Sequence, residues 1–200
     1  MNDLQIFTQE NFSDLDWSEK VMENIKFEKC TFTGIDFTES DIVKVTFDRC
    51  RFVSCKMGSV VFDRCGLLNC TFRFTSMFGA ELKNCKTTGT SFSEIDLSSV
   101  TITGGSWSWC NLRYCDFSGK KLTDVNFTGS DLRNRTFEKS TLRGCDFTEC
   151  MLSATSFQKA DIRNNRFSSF DISTTNFAGA KVDIELAVIA ARMLGAVFEA

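Results

Sequence analysis

From Phe7 onward the chain places an apolar residue at every fifth position: Phe7, Phe12, Trp17, Met22, Phe27, Phe32, Phe37 and on to Val182. Thr87 alone breaks the series among its 36 positions, and seventeen of them are Phe. A fixed period of this kind signals stacked units sharing one continuous core. A helix repeats its face about every 3.6 residues and a strand about every 2, so neither keeps positions five apart on one side. The backbone must therefore turn once in five residues. Four such turns close a roughly square coil of twenty residues, and 36 positions predict nine coils. At roughly 4.8 Å per coil the expected rod is about 43 Å long.

A second register lies two residues before each apolar position. Cys30, Cys50, Cys55, Cys65, Cys70, Cys85, Cys110, Cys115, Cys145 and Cys150 all occupy it, alongside Val45, Val60, Ala80, Val125, Thr155 and Ala160. The slot therefore reads as a second inward position for small side chains, with cysteine serving as a small hydrophobe. Zinc is disfavoured because the chain has neither histidine nor a CxxC pair. Free thiols are the favoured reading; disulfides stay open, since cysteines stacked about 4.8 Å apart lie within bonding range.

Residues 1–6 precede the ladder and are expected to cap its first coil; 7–183 form the repeat; 184–200 leave the five-residue pattern. In DIELAVIAARMLGAVFEA, Asp183 is a helix N-cap signal, Glu185 suits the first turn and Gly195 marks the C-terminal stop. Ile184, Ala187, Val188, Ala191 and Leu194 have helical spacing and are expected to face the last coil. The least regular stretch is 86–109, with Thr87 and Gly104-Gly105, where an inserted loop would need a multiple of five residues to keep phase. Proline is absent, as coils that need every amide for stacking require.

Net charge is −3, hydrophobic residues make up 42% and charged residues 24% of the 200. No basic excess of the kind that binds nucleic acid directly is present. No apolar run approaches the roughly 18 residues of a membrane span, and MNDLQIFTQE is not a secretory signal; the expectation is a cytoplasmic protein. Without histidine, and with no GxxxxGK[ST] or GxGxxG loop, neither catalysis nor a cofactor is expected. Nine Asp side chains stand just before an apolar position, where capping of the turn is their ordinary role.

Sorted by steps of twenty, the outward residues give four faces. The face of Trp17, Phe37, Met57, Met77, Leu97 and Phe117 carries Asp16, Glu19, Asp36, Glu39, Asp96 and Asp116, opposed by Lys56. Phe74, Phe78 and Tyr114 occupy outward positions and form a possible aromatic partner patch.

The SDL, CDF, ADI and FDI triplets resemble the pentapeptide repeat family, whose consensus is A(D/N)LXX, over about nine tenths of the chain. The resemblance implies a right-handed quadrilateral β-helix, an all-β solenoid here ending in a short α-helix. The ending RMLGAVFEA is similar to the fluoroquinolone-resistance branch of that family. That similarity implies a homodimer through the C-terminus, carried by Arg192, Met193, Leu194, Gly195, Val197 and Phe198. It also implies DNA mimicry toward DNA gyrase or topoisomerase IV, with the acidic face as the contact. Many other members of the family look like scaffolds or bacterial effectors, and an interaction scaffold is the alternative reading.

Overall fold

The structure is a computed structural model, and it describes residues 4–113, 115–168 and 173–197. Tyr114 and Phe198 lie outside the described residues. The chain winds as a four-faced parallel β-solenoid with a register of twenty residues. On the first face Gln5–Thr8, Ile25–Glu28, Thr46–Asp48 and Gly66–Leu68 pair in that order, with Phe7 opposite Phe27 and Phe47 opposite Leu67. The second face aligns Phe12, Phe32, Phe52 and Phe72, and the fourth aligns Met22, Ile42, Phe62, Leu82 and Ile102. The third face has single bridges, Asp16↔Asp36↔Lys56↔Ser76.

The solenoid has about seven turns rather than the nine expected, because the coils at its two ends are paired on one side only. Gln5 and Ile6 pair with Ile25 and Lys26, so they belong to the first coil rather than to a cap over it. No phase-preserving loop interrupts 86–109: Lys86↔Ser106 and Ser91↔Asn111 hold the twenty-residue register.

The ladder is the core. Phe27, Phe47, Phe62, Phe92, Phe127 and Phe147 are among its fully buried members. Rings stack coil on coil: Phe27 on Phe47 at 5.1 Å and Phe32 on Phe52 at 4.9 Å between centroids. These separations follow the strand spacing of a sheet. Each such side chain contributes about 1.5–3 kcal/mol through burial. Thr87 is tolerated at 0% exposure because its hydroxyl donates to the Ser106 carbonyl at 3.3 Å.

All ten cysteines are free and buried. Their thiols reach carbonyl oxygens of the preceding coil, as Cys50 Sγ does to Phe27 O at 3.4 Å. Burial pushes the thiols of Cys110 and Cys145 up to about 11 and those of Cys115 and Cys150 up to about 12.

Among the described residues, twenty-two other than glycine have positive φ, and every one stands two positions after a ladder residue, from Gln9 to Asn164. This left-handed step makes each corner. Its amide donates to the next coil, as Glu19 N does to Thr38 O at 2.9 Å, which offsets the steric cost of the conformation.

Helix α1, Ile184–Met193, closes the last coil. Asp183 caps it, accepting from Leu186 N at 2.9 Å and from Asn164 N at 2.7 Å. At the other end Gly195 N donates to Arg192 O and Ala196 N to Ala191 O, the paired bonds of a Schellman stop. The buried stripe differs from the expected one. Leu186 is buried, with Ile189, Ala190 and Met193 packed on the core, whereas Ile184 and Leu194 are 83% and 74% exposed. Both stripes are apolar at helical spacing, so periodicity cannot choose between them. The bond from Asn164 N to Asp183 anchors the cap to the preceding coil and fixes the rotation.

Candidate partner-binding face

The third face carries the six acidic residues singled out in the sequence. Asp16, Asp36, Asp96 and Asp116 each accept the amide two residues on, from Ser18, Thr38, Ser98 and Ser118, at 2.7–3.0 Å. The turn-capping role is therefore real. Hydrogen bonds from Ser18, Thr38 and Ser98 hold the carboxyls of Asp16, Asp36 and Asp96 below the usual carboxylate range. Capping does not consume the charge: Asp16, Asp96 and Asp116 remain exposed, as do Glu19 and Glu39.

On the other faces several carboxylates are held by arginines. Arg49 holds Asp48, Arg64 holds Asp63, and Arg133 holds Asp131, each at 2.8 Å. Arg143 and Arg163 both engage Asp161, and Arg166 engages Asp146 at 3.3 Å. Among the described residues, the only ion pair of the six is that of Asp36 with Lys56, at 3.1 Å. Asp14, Asp41 and Asp124 on other faces also stand outside the ion pairs of the described residues; what sets this face apart is that five such carboxylates share one face, a distinction that counting charges per face does not reveal. Beyond Asp116 the same face turns basic, with Lys139 and Lys159.

Phe74 and Phe78 are 75% and 74% exposed on neighbouring faces of one coil. The Arg73 guanidinium lies 5.5 Å from the Phe74 ring centroid. Sequence reading missed Trp109, which is 59% exposed. It has the same outward position as Phe74, and its ring lies over Gly129, where an added Cβ would come within 2.5 Å of it. At the C-terminus the apolar side chains of Ile184, at the start of α1, and of Leu194 and Val197, at and after its end, are exposed, Val197 at 85%. An apolar cleft of about 380 Å³ lies between α1 and the last coil, lined by Phe177, Val182, Leu186 and Ala190. No helix of the described residues is long and apolar enough to cross a membrane.

Two family models match the chain: a pentapeptide repeat region over 25–102, and pentapeptide repeats of eight copies over 108–137 and 130–168. A comparison with curated proteins finds no match. Among solved structures, a trypsin-treated form of QnrB1, a plasmid-mediated fluoroquinolone resistance protein, aligns with a TM-score of 0.77 at 24% identity, covering 98% of both chains. Full-length QnrB1 aligns with a TM-score of 0.63 at 23% identity, covering 96% of this chain and 100% of that one. At these identities the likeness concerns the fold. Ladder, coil register and family models agree over more than half of the sequence, and the chain belongs to the pentapeptide repeat family.

Proposed function

We propose that this protein is a non-enzymatic binding protein that engages a type II topoisomerase, DNA gyrase or topoisomerase IV, as a partial DNA mimic, modulating it or protecting it from quinolone-type inhibitors. The observation that carries the reading is the row of carboxylates left without arginines on the third face: Asp16, Glu19, Asp36, Glu39, Asp96 and Asp116. The fold shared with QnrB1 supports it. Magnitudes keep the mimicry local. B-DNA presents one charge per about 1.7 Å, or roughly 25 over a rod of about 43 Å, against a net charge of −3. Dimerisation through Met193, Leu194, Val197 and Phe198 would lengthen the rod, and the exposed apolar side chains at the end of α1 support that pairing.

The test is a gyrase supercoiling assay titrated with the protein, with and without a fluoroquinolone. A change in either the supercoiling activity or the drug's effect is expected. No effect on either would leave the scaffold reading, for which the exposed Phe74 and Phe78 beside Arg73 are the supporting surface.

A further inference from the structure

Among the described residues, the stacking of backbone on backbone is interrupted around Asp96, which is bridged neither to Ser76 before it nor to Asp116 after it. On the third face the bridges run from Asp16 to Ser76 and resume from Asp116 to Asn176, with none to Asp96. On the fourth face Thr101–Thr103 pairs with Glu81–Lys83 before it, while Lys121–Thr123 pairs only with Thr141–Arg143 after it. The first two faces run through unbroken, by Lys86↔Ser106↔Asn126 and Ser91↔Asn111↔Asp131. The coils of Asp96–Thr101 and Asp116–Lys121 are thus bridged on two faces and not on the other two, where Gly104 N, donating to Thr123 O at 3.1 Å, still crosses at the corner that leads back to the first face.

Lys120 stands at the parting. It occupies the inward slot of the fourth face, which holds Lys20 at the open first coil, where its ammonium donates to Asp16 O at 3.0 Å, but within the rod holds Ser40, Val60, Ala80, Val100, Ser140 and Ala160, all buried. A lysine stem does not fit that column, and an ammonium cannot enter the core unsolvated. It donates instead to Val100 O at 2.7 Å and Ser98 O at 2.9 Å. Its neighbours show what those carbonyls would otherwise do: Thr141 N donates to Lys120 O and Thr101 N to Ala80 O in the regular ladder. The ammonium has taken the acceptor that belongs to Lys121 N. Desolvation in this position lowers the Lys120 pKa. Ser99 substitutes in the same way on the other side, its hydroxyl accepting from Gly79 N at 3.2 Å. Glu94 and Ser99 are not among the residues with positive φ, unlike most corners of the rod. A groove of about 390 Å³ opens here, lined by Ser98, Val100, Gly119, Lys120 and Lys121.

Ring stacking changes at the same level. The second-face column ends with Phe72 on Phe92, and on the third face, where Trp17 meets Phe37 edge-on near the start, parallel stacking appears only with Phe117 on Phe137. Across the gap the stacking passes from Phe92 to Trp107, on the unbroken side.

We infer that the rod is jointed: it bends at the seam wedged by Lys120, opening on the third and fourth faces about the continuous first and second. Asp16, Glu19, Asp36 and Glu39 lie on one side of the seam and Asp116 on the other, so a bend alters their separation without unpairing either half.

Amide hydrogen exchange on the full chain tests this. The amides of Leu97, Ile102 and Lys121 are expected to exchange on the order of 100-fold faster than their counterparts Met57, Phe62 and Thr141, because local opening frees them without global unfolding. Lys120→Val, which restores the residue type of Val60 and Val100, should slow all three to the rates of the flanking coils. Wild-type exchange at the seam as slow as in the flanks would overturn the joint, and needs no variant to fold. So would a folded Lys120→Val protein in which fast exchange persists.

Discussion

Gly105 and Gly119 share a left-handed backbone but not surroundings. A Cβ on Gly105 would lie 2.3 Å from Cys85 O and 2.9 Å from Cys85 N, backbone atoms of the stacked coil, whereas one on Gly119 meets nothing within 4 Å. Gly105→Ala is therefore expected to cost about 3 kcal/mol in urea unfolding and Gly119→Ala about 1 kcal/mol. Equal costs would mean that only φ matters. The titrating groups predict stability limits at both extremes of pH. Cys110, Cys115, Cys145 and Cys150 have raised folded values of about 11 to 12. Their contribution is fully present below the thiol's ordinary range and is lost as pH rises through those values. Asp16, Asp36, Asp96, Asp131 and Asp161 are depressed. Theirs is present above the ordinary carboxylate range and is lost as pH falls through the folded values. Thermal melting should be flat between about pH 5 and pH 8 and fall outside that window. An alkaline limb that is missing would contradict burial of the thiols.

At the level of elements, α1 depends on one cap and one anchor. Asp183 satisfies two amides, those of Leu186 and Asn164. Asp183→Ala should destabilise by about 1–2 kcal/mol, and Leu186→Ala by about 2–4 kcal/mol by uncovering the last coil. Ile184→Ala, at 83% exposure, should be within about 0.5 kcal/mol of wild type in a chain kept dilute. That contrast checks the observed stripe against the one periodicity suggested. The sequence announced the helix, its cap and its stop, because those are local signals. It did not announce the rotation, because both stripes of the helix are apolar.

At the scale of the whole molecule the predictions concern partners. Asp96→Lys with Asp116→Lys should weaken topoisomerase binding while circular dichroism and melting stay near wild type. Loss of the fold instead would mean that the amide bonds to Ser98 and Ser118 are the main role of these residues. Light scattering on a chain ending at Gly195, and on Leu194→Glu, should report monomers if the apolar side chains at the end of α1 hold two copies together. An unchanged mass would assign them to capping alone. The acidic face was legible as a row of residue numbers, since a twenty-residue register converts sequence directly into faces. Its isolation from arginine was not, because pairs such as Arg143 with Asp161 bridge coils and Arg133 with Asp131 fold back within one.

The five-residue ladder by itself determined the solenoid, the burial of all ten cysteines and the sorting of charges. Each of these depends only on which residues recur in phase, and stacking makes phase equivalent to position. Tertiary structure alone decided three things. Among the described residues it set twenty-two that are not glycine, Glu19 and Lys139 among them, in a left-handed conformation that their side chains do not favour, because the amide bond to the next coil outweighs the local steric cost. It chose which apolar stripe of α1 faces the core. It also parted the coils at Lys120, where a long cation among small residues in the middle of the rod takes carbonyl acceptors from the ladder, a competition visible only once both coils are in place.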